Sequence, residues 1–303
     1  MGLDDFVVTF ATYCRQRFGE RVQKLTLDAS FTCPNRDGTL GRGGCTFCNV
    51  ASFSYTPDSG LPIATQLQQG KQRLRAKASK FLAYFQAYTS TYEEYAVLQQ
   101  RYDEALASTD LVGLCVGSRP DCVPDEVLDL LLAYQQQGRE VWLELGLQSA
   151  HDATLKRINR GHDFAAYADA VQRARQRGLK VCTHLILGLP GENADMHLQT
   201  LQQVLAVGVD GLKLHPLHIV QGSIMAKAWR SGRLSPPSID EYVQSAGTLI
   251  RHTPREVVFH RVTAYAKPPV LLAPEWCSSR WKGLIGIVDD LAQHGGQGAA
   301  LSR

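Results

Sequence analysis

No stretch of this 303-residue chain approaches the roughly 20 consecutive apolar residues that a membrane helix needs, so no membrane helix and no membrane partner are expected. The opening decapeptide, MGLDDFVVTF, carries acidic residues where an export signal carries basic ones, and a cytoplasmic protein is the expectation. Low-complexity tracts and repeats of fixed period are missing too, which argues against a solenoid. Nor does one sign of charge dominate. With 32 Lys+Arg against 29 Asp+Glu, the net charge of +3 permits an anionic partner without requiring one. What is present suits a folded chain: 44% hydrophobic and 20% charged residues supply a core and leave little case for disorder. The length fits one large domain, such as a barrel of alternating strands and helices.

That alternation is visible. Short apolar runs predict strands at Val22–Ala29, Lys80–Tyr88, Leu111–Ser118, Glu140–Gln148, Lys180–Leu187, Gly211–Ile219 and Glu256–Val262. Between them, Ile63–Ser79, Tyr92–Ser108, Pro124–Gln137, Asp163–Arg177, Ala194–Val207 and Ile239–His252 read as helices, with Gly138, Gly178 and Gly208 placed for C-terminal caps. Repeated strand–helix units imply parallel strands with right-handed crossovers, hence a full or partial barrel, with a doubly wound sheet as the other arrangement. Either architecture places chemistry after the C-terminal ends of the strands. Unusual residues fall there: Cys33, Gln86–Tyr88, Gly117–Arg119, Gln148–Ser149, Gly188–Glu192 and His215–His218.

Eight cysteines divide into two populations. Cys14, Cys115, Cys122, Cys182 and Cys277 are scattered, and none has a spacing that calls for a metal. Cys33, Cys45 and Cys48 share one Gly-rich loop, CPNRDGTLGRGGCTFC, with the last two at the spacing common to zinc and iron–sulfur sites. Structural zinc needs four protein ligands and would recruit Cys14 or a distant histidine. A cubane held by three thiolates leaves one iron open to a substrate ligand. Gly38, Gly41, Gly43 and Gly44 let the loop turn tightly and bring N–H groups near the sulfurs.

These residues resemble those of radical S-adenosylmethionine (SAM) enzymes, and specifically the YhcC/YtqA-type family, over roughly residues 5–280. Eleven residues separate Cys33 from Cys45, a stretched loop similar to that of the elongator acetyltransferase catalytic subunit. The resemblance implies a partial (βα)6-type TIM barrel with a C-terminal extension, a [4Fe-4S] cluster on Cys33, Cys45 and Cys48, and SAM on the open iron. Phe47 matches the position whose backbone meets the SAM adenine. Gln86-Ala87-Tyr88 stands where relatives have Gly-Gly-Glu, so Ala87 and Tyr88 are expected at the methionine ammonium. The segment Glu144-Leu-Gly-Leu-Gln148-Ser, followed by Asn159-Arg160-Gly-His, is similar to the fourth-strand region of elongator-like members and implies that Glu144 or Gln148 reaches the ribose. His184-Leu-Ile186-Leu-Gly188-Leu-Pro-Gly-Glu192 looks like the fifth-strand motif that packs Ile186 and Gly188 against adenine, with His184 in place of the usual glycine and the acidic residue displaced by one. Arg160, with Arg119 and Arg261, is a candidate holder of anionic groups such as the SAM carboxylate or a phosphate, with Asp121 close by; surface salt bridges are the alternative use of these charges.

The implied chemistry is reductive cleavage of SAM to a 5′-deoxyadenosyl radical that abstracts a hydrogen atom, with electrons from a flavodoxin or ferredoxin. Elongator-like relatives suggest tRNA wobble uridine as the substrate. Two basic runs fit phosphates, Arg15, Arg17, Arg21 and Lys24 and then Lys71, Arg73, Arg75, Lys77 and Lys80, with Tyr84 or Tyr88 available for stacking. Solvated faces explain such runs equally. A small-molecule substrate and a non-enzymatic, metal-stabilised binding protein are the alternatives. His184, His215 and His218 raise a second metal site, although His215 and His218 on one strand would face opposite ways. Residues 1–263 are expected to form the barrel. Residues 264–303 are expected as an extension with a helix at Trp281–Gln293 and a disordered tail, preceded by Ala273-Pro-Glu-Trp276, which resembles a family C-terminal signature.

Overall fold

The apolar runs assemble into one parallel sheet with helices along its outer face. The computed structural model describes residues 1–49, 60–74 and 78–301. Arg75 and Lys77 of the second basic run, in positions 75–77 near the end of the expected Ile63–Ser79 helix, and the last two residues of the chain lie outside the described residues.

The elements in chain order are α1 (Phe10–Phe18), β1 (Val22–Leu27), α2 (Pro34–Asp37), α3 (Ile63–Leu74), β2 (Lys80–Phe85), α4 (Tyr95–Leu106), β3 (Leu111–Ser118), α5 (Asp125–Gln136), β4 (Glu140–Gln148), α6 (Asp152–Arg157) and α7 (Phe164–Gln176). After them come β5 (Lys180–Leu187), α8 (Ala194–Val207), β6 (Gly211–Pro216), β7 (Ile219–Val220), α9 (Ile224–Arg230), α10 (Ile239–Arg251), β8 (Val258–Arg261), β9 (Leu271–Ala273) and α11 (Lys282–His294). Among the described residues the main sheet has seven strands in the order β1-β2-β3-β4-β5-β6-β8, every pairing parallel. Sequential neighbours joined by helical crossovers give the expected partial barrel.

Two apolar clusters divide the labour. The larger lies between the sheet and the helices, where Leu114, Leu143, Leu185 and Leu212 meet Leu131, Val171, Leu201 and Leu249. The smaller fills the lower end of the barrel interior with Leu82, Tyr84, Cys115, Trp142 and Cys182, closed from below by Phe10 and Cys14 of α1. Helix α1 is fixed there by its caps: the Thr9 side chain accepts from the Thr12 N–H, and Gly19 ends the helix at φ 72°. The Phe10 ring stands edge-on to Trp142 at 5.7 Å and 4.1 Å from the His260 ring.

β7 and β9 form a separate antiparallel pair beside the mouth. Helix α11 lies along α10 and is tied to it by Arg251 and Asp290 at 2.5 Å. The expected disordered tail is ordered through residue 301. Gln297 is buried, donating to the carbonyls of Pro254 and Val257 and accepting from the Val8 N–H, so the tail pins the N-terminal segment.

Candidate active site

Beyond the sheet's C-terminal edge lies a cavity of about 900 Å3, lined by Cys33, Cys45 and Cys48 together with side chains from successive strands. Cys33 precedes α2, and the chain then doubles back through Gly43 and Gly44, both at positive φ, to present Cys45 and Cys48. At Gly44 a Cβ would fall 2.9 Å from Arg36 Nε, so only glycine lets the guanidinium lie over the turn.

The loop is held by the segment after α6. Thr46 N–H donates to Ile158 O at 2.9 Å, and Asn159 Nδ2 donates to Gly44 O at 3.0 Å. Donors also face the sulfurs: Arg160 Nη1 lies 3.5 Å and Asn35 Nδ2 3.6 Å from Cys45 Sγ, and Arg36 Nη2 lies 3.4 Å from Cys48 Sγ. Such donors suit thiolates that carry a cluster's charge. Among the described residues no three His, Cys, Asp or Glu side chains gather closely enough to hold a single ion. A cubane places each thiolate on its own iron, so its ligands stand farther apart than those of one zinc. That same spacing removes the second metal site considered for His184, His215 and His218. Contrary to the opposite-face expectation, His215 and His218 both line the cavity, because β6 ends at Pro216 and the alternation stops there.

The other expected site residues divide. Phe47, Tyr88, Glu144, Gln148, Arg160 and Ile186 line the cavity. Ala87 is buried away from it, between the lining residues Gln86 and Tyr88. Gly188 is also absent from the wall: it makes a turn at φ 90° in which a Cβ would strike Pro237 at 2.7 Å. Glu192 is engaged elsewhere, with the Ser149 hydroxyl. Tyr88 and Gln148 adopt φ of 58° and 80°, conformations that side chains rarely accept and that here aim both residues at the chamber. At Gly146 beside them, a Cβ would fall 2.8 Å from both Arg160 Nη2 and Gln148 Nε2, so a side chain there would push both aside.

Glu144 differs from its expected ribose-binding role. It is fully buried in the chamber floor with both oxygens taken by protein donors. Lys24 Nζ lies 2.6 Å from Oε1, with His260 Nδ1 3.3 Å away. His184 Nε2 lies 2.9 Å from Oε2, which also meets Lys213 Nζ. Burial would raise the carboxyl, but Lys213 and Lys24 hold it well below its ordinary value. Burial pushes His184 down to about 4 and Lys213 down to about 8, the latter opposed by Glu144. Lys213 Nζ also donates to Tyr84 OH at 2.8 Å.

Buried polar atoms without a protein partner complete the chamber: Thr89 Oγ1, Arg119 Nη1 and His218 Nε2 all belong to lining residues. Unsatisfied groups around a cavity signal a ligand that satisfies them. Three cysteines, sulfur-directed donors and this wall fit the cluster and SAM.

Residues 33–204 match the model of the radical SAM superfamily, and residues 209–293 match that of the Radical_SAM C-terminal domain. The chain belongs to the radical SAM superfamily. It is 58% identical to protein YhcC of Escherichia coli K12 over 303 residues, spanning 100% of this chain and 98% of that one. Protein YtqA of Bacillus subtilis is 38% identical over 290 residues, 95% of this chain and 90% of that one. A tRNA uridine(34) acetyltransferase of Dehalococcoides mccartyi is 34% identical over 128 residues, 41% of this chain and 27% of that one. Among solved structures, the archaeal Elp3 of Methanocaldococcus infernus shares the fold at a TM-score of 0.64 and 19% identity, over 90% of this chain and 63% of that one. The C-terminal family match begins at residue 209, just before β6, and so takes in the last two strands of the sheet, which ends with β8 at Arg261.

Sequence reasoning passed over Asn35 and Arg36, whose only signal was proximity to Cys33, and Lys213, a lone cation in an apolar strand.

Proposed function

We propose that the chamber is where this radical SAM enzyme holds a [4Fe-4S] cluster on Cys33, Cys45 and Cys48 and SAM beside it. The observation that carries this reading is the convergence of the three cysteines on one cavity, with Arg160, Asn35 and Arg36 directed at their sulfurs. Held there and reduced by an external donor, the cluster would supply the electron for reductive cleavage of SAM and so the radical chemistry of the family. The chain's own residues position and exclude. Gly146 lets the Arg160 and Gln148 side chains pack close over β4, and Gly117 does the same for the Phe85 carbonyl beside β3. Gln148 offers an amide where Glu144 has no free acceptor, and Ile186 and Phe47 give apolar walls for adenine. Arg119 has a spare Nη1 for a carboxylate. Phe10 and Trp142 seal the floor against water. A low-potential flavodoxin or ferredoxin is the proposed electron donor.

A compact substrate, of a size that fits wholly within the half-open chamber, is the first reading. Wobble-uridine tRNA is the second reading, supported by the part-chain match to the tRNA uridine(34) acetyltransferase. The basic runs add little to it. Arg15 pairs with Asp4, Arg17 with Glu140, Lys24 with Glu144, Lys71 with Asp110 and Lys80 with Glu20.

Anaerobic reconstitution, dithionite and SAM should yield 5′-deoxyadenosine detectable by mass spectrometry. A fully loaded cluster that gives no product would refute the catalytic reading. Strong stimulation by tRNA lacking its native modifications would support the second substrate class, and indifference to it would count against tRNA.

A further inference from the structure

The chamber floor carries more positive charge than the protein neutralises. His184, Lys213 and Arg261 are Cα partners in register across β5, β6 and β8, so they occupy one level of the barrel, and all three line the cavity. Beside them Lys24 and Lys213 share a single carboxylate, Glu144. The surrounding histidines do not add charge at neutral pH, because burial holds His184, His215 and His260 below their ordinary values. Three cations, Lys24, Lys213 and Arg261, therefore face one anion.

Arg261 is the uncommitted member. Its Nη1 donates to neutral His215 Nε2 at 3.2 Å, and among the described residues no carboxylate pairs with it. Of the other chamber arginines, Arg119 is paired with Asp121 at 2.7 Å and keeps one free Nη1, while Arg160 and Arg36 lie against the Cys45 and Cys48 sulfurs, away from this level of the floor. A guanidinium has five N–H donors in a planar fork that matches carboxylate and phosphate oxygens. Uncompensated buried charge is costly, and a site that keeps it gains most from an anionic guest.

We infer that Arg261 and Lys213 form the seat for an anionic group, a carboxylate or a phosphate, on the substrate. The inference rests on reading the chamber as the reaction site, and it names the substrate class: a compact molecule bearing at least one such group, which enters anion first and lodges against β6 and β8. His215 is a positioning residue, holding the guanidinium through its Nε2 lone pair.

The test is thermal unfolding of the anaerobically reconstituted holoenzyme with SAM present. One arm titrates inorganic phosphate and the other acetate, each against sodium chloride of matched ionic strength. At least one anion should raise the melting temperature beyond chloride in the wild type and in Arg230→Met, a change at an exposed arginine of α9. Arg261→Met should raise the half-saturating concentration about tenfold or more, and Arg261→Lys by less. Response to phosphate alone marks a phosphoryl group, and response to acetate alone a carboxylate. Should Arg261→Met lose its cooperative transition, Arg261→Lys carries the comparison, since it keeps the charge but not the fork.

No anion-specific shift in the wild type, or an unchanged shift in both Arg261 variants, overturns the inference. So does a tenfold loss of SAM affinity in Arg261→Met by equilibrium dialysis, because the charge would then serve the cofactor. Iron content and 5′-deoxyadenosine yield of the wild type are measured separately. An enzyme that shows the Arg261-dependent shift yet never cleaves SAM would sink the catalytic reading and leave the anion seat standing.

Discussion

The Arg160 guanidinium bridges two parts of the site: Nη1 lies 3.5 Å from Cys45 Sγ, while Nε and Nη2 hold the Gly146 carbonyl at 3.1 and 2.6 Å. One buried cation thus couples the cysteine loop to the end of β4. Arg160→Met removes a charged donor from a cluster sulfur, and the reduction potential should fall, since donors to sulfur stabilise the reduced cluster. An anaerobic redox titration followed by electron paramagnetic resonance reads this, and an unchanged potential would show that the contact does not tune the cluster.

Replacing any one of Cys33, Cys45 or Cys48 by alanine should drop bound iron from about four per chain to a small fraction of that after reconstitution. Cys115→Ala and Cys182→Ala should not, because both thiols lie in the apolar floor below the cavity. Iron and acid-labile sulfide assays compare the two groups directly.

Gly146→Ala places a methyl group 2.8 Å from Arg160 Nη2 and Gln148 Nε2. Forcing both side chains away should cost about 1–3 kcal/mol, measured by denaturant unfolding, and weaken SAM binding along with it.

Glu144→Gln leaves Lys24 and Lys213 without their counter-charge and should destabilise the fold by about 3–5 kcal/mol. The pH dependence has a defined sign. Glu144 titrates lower in the folded chain than in the unfolded one, so its contribution is complete above the ordinary carboxylate range and disappears as pH falls below it. Lys213 is the reverse case, a cation whose folded value, about 8, lies below its unfolded one. It costs stability at neutral pH, and that cost is relieved as pH rises from about 8 towards 10.4. Unfolding free energies of wild type and Lys213→Met, compared across that range, should show the wild type gaining relative to the variant.

Strands β3, β4 and β5 matched their expected limits residue for residue, because each is an apolar run ended by a change of composition. Helix α1 was not foreseen. It buries only Phe10 and Cys14, too sparse a pattern to stand out, and its value comes from closing a barrel whose other walls are far away in sequence. The three cysteines were legible because their spacing is local. Glu144 was visible but its partners were not: a carboxylate in an apolar strand reads the same whether it meets a ribose or lysines 120 residues before it and 69 after it. Ala87 and Gly188 were placed by resemblance of segments; Ala87 is buried between the lining residues Gln86 and Tyr88, and Gly188 turns the chain beside Pro237, beyond the last lining residue of its strand, Ile186. The tail was expected to be disordered because its small residues offer no periodicity, yet the Gln297 side chain and backbone bonds to Phe6, Ile250 and Arg251 dock it.

The plug formed by Phe10, Cys14 and Trp142 makes the chamber blind at its lower end. A guest that reaches the level of Arg261 therefore enters and leaves by the same route, through the mouth at the C-terminal edge of the sheet.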